Sequence, residues 1–262
     1  MNAMKTILFE QRVHIGLLTI DNPPVNALTM KVLSELEGII SALYTEQCKD
    51  LRTLVLTGAG EKFFMAGADI SNFTDLTPEN GIAFVKRHTD LFDRIAALPI
   101  PVICAMNGTA LGAGLELALA CDIRILSEKA KVGLPETGLG IYPGAGGTQR
   151  LARLVGAGKA KRMIFSAAHM TAQEAYRIGI CEELTLPENV LAQARELAAR
   201  IATNGPVAVA AAKRLIDEGL DLPITEGMAL ENRTFGPLCD TWDKNEGAQA
   251  FLEKRKPQFQ GK

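Results

Sequence analysis

The stretch PVICAMNGTALGAGLELALACDIRI, residues 101–125, decides how this chain is read. It opens with Val102, Ile103, Cys104 and Ala105, a short apolar run that reads as a buried strand. Asn107-Gly108 breaks the strand, and a run from Leu115 to Ala120 reads as a helix that is apolar all round and so belongs in a core. Glu116 lies in the first turn of that helix, with no basic residue before Arg124. A lone carboxylate is costly to bury, and the usual response is a raised pKa, which suits proton exchange near neutral pH. Gly112, Ala113 and Gly114 are small enough to let a ligand approach the helix start, where unpaired N–H groups favour developing negative charge. The stretch therefore reads as an oxyanion site beside a poised carboxyl. A first-turn glutamate that simply complements the helix dipole fits the same residues, and the stretch alone leaves that reading open. The polar residues Asn107, Glu116 and Asp122, with the glycines, argue against a membrane span.

Outward from this stretch, the N-terminal part alternates strands and turns. Ile7 to Glu10 and Val13 to Ile20 are expected to form a hairpin around Gln11-Arg12. Thr29 caps a helix with an apolar stripe at Leu33, Leu36, Ile40 and Leu43. Thr53 to Thr57 is a core strand, Phe63 to Ile70 a second small-residue turn after an apolar run, and about Pro78 to Ala97 a more polar helix. Strands at Ile123 to Ser127 and Lys131 to Leu134 precede the long loop PETGLGIYPGAGG, residues 135–147, and a helix from about Thr148. From Thr171 the chain is mainly helical: Ala172 to Ile178, Val190 to Thr203, Pro206 to Glu218, Ile224 to Leu238 and Lys244 to Lys254, with Thr171 and Glu174 as a capping box. The expectation is an α/β fold whose first part mixes strands and helices and whose tail is helical.

The chain has 262 residues, 47% of them hydrophobic, enough for one large domain or one domain with an appendage. A net charge of −2 and a pI of about 6.0 give no support for a nucleic-acid surface. Cys48, Cys104, Cys121, Cys181 and Cys239 form no C-x-x-C pair, and with no signal sequence at the N-terminus they read as reduced thiols of a cytoplasmic protein. His14, His88 and His169 form no ligand motif, so no metal is expected. There is no G-x-S-x-G elbow; Ala160 stands where a P-loop needs Ser or Thr; and Gly144 to Gly147 follow a loop rather than a strand, unlike a dinucleotide fingerprint. Glu136 is the second carboxyl of interest, at a strand end inside a nearly uncharged glycine-rich loop. Alone it fits a surface turn equally well. Two carboxyls in different apolar settings are a recipe for acid/base chemistry.

Together these segments resemble the enoyl-CoA hydratase/isomerase (crotonase) superfamily, across nearly the whole chain. The marks are Asn26-Ala27-Leu28, Ala66 to Ile70, Asn107-Gly108 with Leu111 to Glu116, Ala120 to Arg124, Leu134-Pro135-Glu136, Pro143 to Leu151, and Ala250 to Lys256. Each is weak; the ordered set is specific. The resemblance implies a spiral of β-β-α turns over residues 1–200 and a helical trimerisation region over residues 201–262, commonly assembled as a homohexamer, a dimer of trimers. It implies an acyl-CoA thioester substrate and no cofactor, coenzyme A being part of the substrate, with no nucleic-acid or membrane partner. The thioester oxygen falls between the backbone N–H groups of Ala68 and Ala113. Glu116 activates water, Glu136 delivers the α-proton, and the Gly144 N–H helps hold the water. Ala66, Asp69 and Ile70 line the coenzyme path, while Phe235 and Lys254 match residues that reach a neighbouring subunit's coenzyme. The family usually carries glycine where Ala113 stands, which puts the acyl preference in question. An enoyl-CoA isomerase needs only the carboxyl at Glu136, so the second glutamate favours hydration. An RNA-binding member of the superfamily calls for a lysine-rich helical face, and Lys159 to Arg162 is short. A non-catalytic acyl-CoA-binding scaffold has no use for both glutamates.

Overall fold

The computed structural model describes residues 5–45, 48 and 50–262. The chain opens with a hairpin of β1 (Ile7–Arg12) and β2 (Ile15–Ile20), followed by α1 (Met30–Leu43). The hairpin turn is Val13-His14 rather than Gln11-Arg12: Arg12 pairs with Ile15, and the Gln11 side chain donates to the Val13 carbonyl at 3.1 Å. Val13 takes a positive φ of 53°, a conformation that a β-branched residue rarely adopts, so local propensity points the turn elsewhere. Helix α1 starts where Thr29 Oγ1 accepts the Val32 N–H, and it buries Val32, Leu33, Leu36, Ile40 and Leu43.

Three turns of one pattern follow. In the first, β3 (Thr53–Gly58) leads to β4 (Phe63–Met65) and then α2 (Pro78–Ala96), which begins with Pro78 behind a Thr77/Asn80 capping box. In the second, β5 (Val102–Met106) leads to β6 (Thr109–Leu111) and α3 (Ala113–Leu119). In the third, β7 (Ile123–Ser127) leads to β8 (Lys131–Gly133), a short 3-10 turn at Pro135–Leu139, and α4 (Gly147–Val155). The rest comprises α5 (Ala157–Ser166), β9 (Met170–Thr171), α6 (Ala172–Ile178), β10 (Glu183–Thr185), α7 (Val190–Ala202), α8 (Pro206–Gly219), α9 (Ile224–Leu238) and α10 (Trp242–Leu252). The helix expected from about Thr148 is two helices, because Gly156 takes a φ of 86° and redirects the chain.

The first strand of each turn enters a six-stranded sheet in the order β1-β2-β3-β5-β7-β10, parallel except for the opening hairpin. The second strand enters a four-stranded sheet in the order β4-β6-β8-β9, in which β4, β6 and β8 run parallel. The large sheet is buried on both faces. Leu54, Leu56, Val102 and Cys104 face the main core, while Val55, Ile103, Ala105 and Ile125 pack under Val190, Ala194 and Ala198 of α7. That two-sided burial is why residues 102–106 read as an unbroken apolar run instead of an alternation. Helix α3 lies so close to β4 that a Cβ at Gly114 would collide with the Met65 carbonyl oxygen, so only glycine fits there.

The helical tail is attached differently. Lys213 of α8 donates to Asp122 at 2.7 Å and to the Ile100 carbonyl at 3.3 Å, and Arg52 holds the Ala202 and Phe259 carbonyls. Yet α8 and α9 contain no buried residue, and Ile216, Leu220, Ile224, Met228 and Phe235 are exposed along them. Among the described residues no helix is long and apolar enough to cross a membrane.

Candidate active site

Three parallel strands end side by side in the small sheet, and the chain leaving each of them supplies one part of a cleft. Beyond β4 come Ala66, Gly67 and Ala68; beyond β6, Gly112 and Ala113; beyond β8, Pro135 and Glu136. Ligands of open parallel sheets are commonly held off the carboxyl ends of the strands in the same way. The cleft measures about 780 Å³ and is closed on its other side by α2 and by the loop at residues 139–145.

The first two strand ends bring two peptide groups together. Gly67 takes a φ of 103° and sits against the Leu111 carbonyl, so close that a side chain there would lie 4.0 Å from the Ala113 nitrogen. Leu28 donates to the Gly67 carbonyl at 2.8 Å and pairs with Ala68 as an isolated parallel bridge, which fixes the plane of this segment. Gly112 has φ 52° and ψ −127°, a mirror-image extended conformation open to glycine, and it turns the chain from β6 into the first residue of α3. Ala113 is the first residue of α3, so its N–H has no acceptor within the helix, and both Ala68 and Ala113 line the cleft.

Glu116 lies one turn into α3, and the residue is 3% exposed. Its Oε1 accepts the Gly147 N–H at 2.8 Å. Burial drives its pKa up to about 7, and the neighbouring Glu136 pushes the same way. The N–H groups of Gly147 and Ala145 and the guanidinium of Arg150 pull it back down. Glu136 sits in the 3-10 turn, with its Oε1 only 2.6 Å from where a Cβ on Gly112 would stand. Its Oε2 is buried without a hydrogen-bond partner. Burial raises its pKa as well, opposed by its own N–H. Two carboxyls whose pKa values are both raised by burial, one of them to about 7, are placed for acid/base chemistry.

The expected residues divide in two. Ala66, Ala68, Ile70, Ala113, Glu116, Glu136 and Gly144 line one cleft. Asp69 caps the 3-10 turn at Ile70–Phe73 by accepting the Ser71 N–H at 3.0 Å, and it does not line the cleft. Phe235, 65% exposed on α9, and Lys254, exposed just beyond α10, also lie outside the cleft of their own chain. Lys159, Lys161 and Arg162 are exposed on α5, away from the cleft lining.

Sequence reading missed the apolar wall from Phe73, Phe84 and Val85, the Gly147 contact, and Arg150 acting on Glu116 from 34 positions along the chain, beyond the reach of helical or strand periodicity. His88 also lines the cleft. Its Nδ1 lies 2.8 Å from the Phe84 carbonyl, and burial lowers its pKa, which keeps the ring neutral. Among the described residues no three His, Cys, Asp or Glu side chains are grouped to hold a metal.

The raised pKa of Glu116 has a measurable consequence. Between its ordinary value of 4.5 and about 7, the folded protein keeps a proton that the unfolded chain has lost, so this group's contribution to stability falls as pH rises through that window. Glu116→Gln removes the effect. Denaturant titrations should show the variant gaining stability relative to the parent by up to about 3 kcal/mol between about pH 5 and about pH 8. A difference that stays constant across that range contradicts the protonated, buried state.

The chain and its fold have close counterparts. The profile of the Enoyl-CoA hydratase/isomerase family matches residues 10–262. The chain is 42% identical over 254 residues to the Short-chain-enoyl-CoA hydratase of Clostridium acetobutylicum, covering 97% of each protein. It is 41% identical over 258 residues to the Crotonyl-CoA hydratase of Syntrophomonas wolfei, covering 98% of each. The crystal structure of an enoyl-CoA hydratase from Bacillus anthracis superposes with a TM-score of 0.94 at 39% identity, over 98% of this chain and 100% of that one. By profile, sequence and fold alike, the chain belongs to the enoyl-CoA hydratase/isomerase family.

Proposed function

We infer that this chain is an enoyl-CoA hydratase, which adds water across the double bond of a trans-2-enoyl-CoA to give a 3-hydroxyacyl-CoA. The observation that carries the reading is the pair of carboxyls in one apolar cleft: Glu116, which is buried, and Glu136, whose Oε2 is buried without a partner. The names of the Clostridium and Syntrophomonas relatives support a short acyl chain.

In this mechanism the thioester oxygen accepts hydrogen bonds from Ala68 and Ala113. Attack of water on C3 moves an electron pair toward that oxygen, and each donor aimed at it accounts for roughly 10²–10³ in rate. Glu116 takes a proton from the attacking water as the C3–O bond forms. Glu136, whose Oε2 has no other partner, gives a proton to C2 as the enolate collapses. For these roles the pair must carry one proton, on Glu136, when water attacks, and exchange with solvent restores that arrangement afterwards. Gly144, at the cleft wall, is assigned to holding the water. An isomerase shuttles one proton and uses one carboxyl; retention of both favours hydration. The Ala113 methyl leaves the N–H intact and narrows the cleft where the acyl group starts.

We propose further that residues 201–262 form a trimerisation region and that Phe235 and Lys254 act on a neighbouring subunit's coenzyme A. The support is that α8 and α9 carry large apolar residues and bury none of them within the chain. Light scattering at micromolar concentration should give a trimer or a pair of trimers; a monomer contradicts the proposal.

Loss of enoyl absorbance with crotonyl-CoA tests the chemistry. Glu116→Gln and Glu136→Gln should each fold, bind coenzyme A and lose at least about 10²-fold in turnover. Exchange of the α-proton with solvent should survive in Glu116→Gln and vanish in Glu136→Gln. Ala113→Pro should also fold, because residue 113 is the first of α3 and its N–H has no helical partner, and it should lose roughly 10²–10³-fold. Near-normal turnover in either glutamine variant excludes the two-carboxyl mechanism, and in the proline variant it excludes this oxyanion site.

A further inference from the structure

Arg150 of α4 joins three pieces of the site without reaching the cleft lining itself. Its Nη2 pairs with Asp93 of α2 at 2.5 Å, and its Nη1 donates to the Ala145 carbonyl at 3.3 Å. Its guanidinium lies so tightly over Gly146 that a Cβ there would collide with Nη1, and Gly146 has a φ of 106°. The positive φ favours glycine at 146, and the absence of a side chain there lets the guanidinium lie against the turn. The peptides around Gly146 are the ones that matter: the N–H groups of Ala145 and Gly147 both act on the Glu116 carboxylate. Thr89 of α2 adds a second tie to the same loop, donating to the Gly144 carbonyl at 3.3 Å.

We propose that Arg150 is a positioning residue for Glu116: gripping the Ala145 carbonyl and Asp93, it fixes the turn whose N–H groups orient the carboxyl. The proposal rests on the hydratase reading, in which Glu116 is the base. Arg150 also supplies the positive charge that opposes the other groups around Glu116. Glu136 faces Glu116 from the 3-10 turn and raises its pKa. On α2, Asp93 is bound to Arg150, Lys86 and Asp90 pair with each other at the cleft, and His88 is neutral. Arg150 is the cation that favours the ionised form of Glu116. A guanidinium suits the place because its planar fork serves a carbonyl and a carboxylate at once, while an ammonium keeps the charge without the fork.

The test compares Arg150→Gln, Arg150→Lys, Asp93→Asn and Glu116→Gln with the parent on crotonyl-CoA, with circular dichroism to check folding. Arg150→Gln should lose roughly 10-fold or more in kcat with KM little changed, since a slightly misplaced base costs rate more than binding. Its acid limb of kcat/KM should move to higher pH, because the carboxylate has lost both its cation and its oriented donors. Arg150→Lys should bring the acid limb back toward that of the parent while kcat stays low. Asp93→Asn should lower kcat by a smaller factor; Asp93 is 61% exposed in its side chain, so this variant tests the clasp even if Arg150→Gln does not fold. Parent-like kcat in the folded Arg150 variants, or in Asp93→Asn where those do not fold, overturns the proposal. So does a loss of kcat in Arg150→Gln with the acid limb unmoved, which leaves Arg150 a brace between helices. If the parent itself hydrates no crotonyl-CoA, the hydratase reading fails instead; if Glu116→Gln turns over normally, Glu116 is not the base and the proposal falls with it; if Glu116→Gln is inactive while Arg150→Gln is unchanged, only the role of Arg150 fails.

Discussion

The hydrogen bond from the Gly147 N–H to Glu116 Oε1, 2.8 Å long inside an apolar core, is the constraint on which the site depends. A carboxyl with almost no exposure and no donor would stay protonated and could not act as a base. A carboxyl surrounded by donors and cations would stay ionised and would hold no proton near pH 7. Glu116 lies between these limits: burial and Glu136 raise its pKa, two peptide N–H groups and Arg150 lower it, and the balance falls at about 7. Those groups come from α4, the loop before it and the turn after β8, so the balance requires that all three be in place around α3.

The spiral meets that requirement with little machinery. Each turn sends one strand into the large sheet and a short parallel strand into the small one. The chain leaving the small strand arrives at the same edge every time. Ala68, Ala113 and Glu136 come from three successive turns and meet because β4, β6 and β8 are neighbours. The close approach at Gly114 brings α3 against β4, and the positive-φ glycines Gly67 and Gly112 turn the chain just before Ala68 and Ala113, the peptides proposed as donors. Stability and site share this geometry: the sheet that carries the donors is also part of the packed core, through Phe64, Met65, Ala110 and Val132.

Some of this was legible from residues alone. Glu116 stands out because a charge inside LELALA is costly, and it is indeed the buried carboxyl of the cleft. Residues 102–105 read as a core strand because burial on both faces leaves an unbroken apolar run. Glu136 was ambiguous, since its surroundings come from residues far away in sequence. The three-residue strands β4 and β6 are too short for periodicity to show, so the small sheet that organises the site was invisible as a sheet. The turn at Val13 was misplaced because no glycine or asparagine marks it. The proposed roles of Ala68 and Ala113 follow only from family resemblance, because a backbone N–H leaves no trace in the choice of side chain. Arg150 stood in a recognised motif, but its contact with the Ala145 turn exists only once α2 and α4 are packed.

In the proposed mechanism an apolar cleft keeps Glu116 poised near neutrality to hydrate an enoyl thioester. The most direct test is the pH dependence of crotonyl-CoA hydration by the unmodified protein, followed as loss of enoyl absorbance from about pH 5 to about pH 9. The account predicts that kcat/KM falls about tenfold per unit on the acid side of about pH 7, where Glu116 takes up its proton. A profile that stays flat from about pH 5 to about pH 8, or the absence of hydration at every pH, contradicts it.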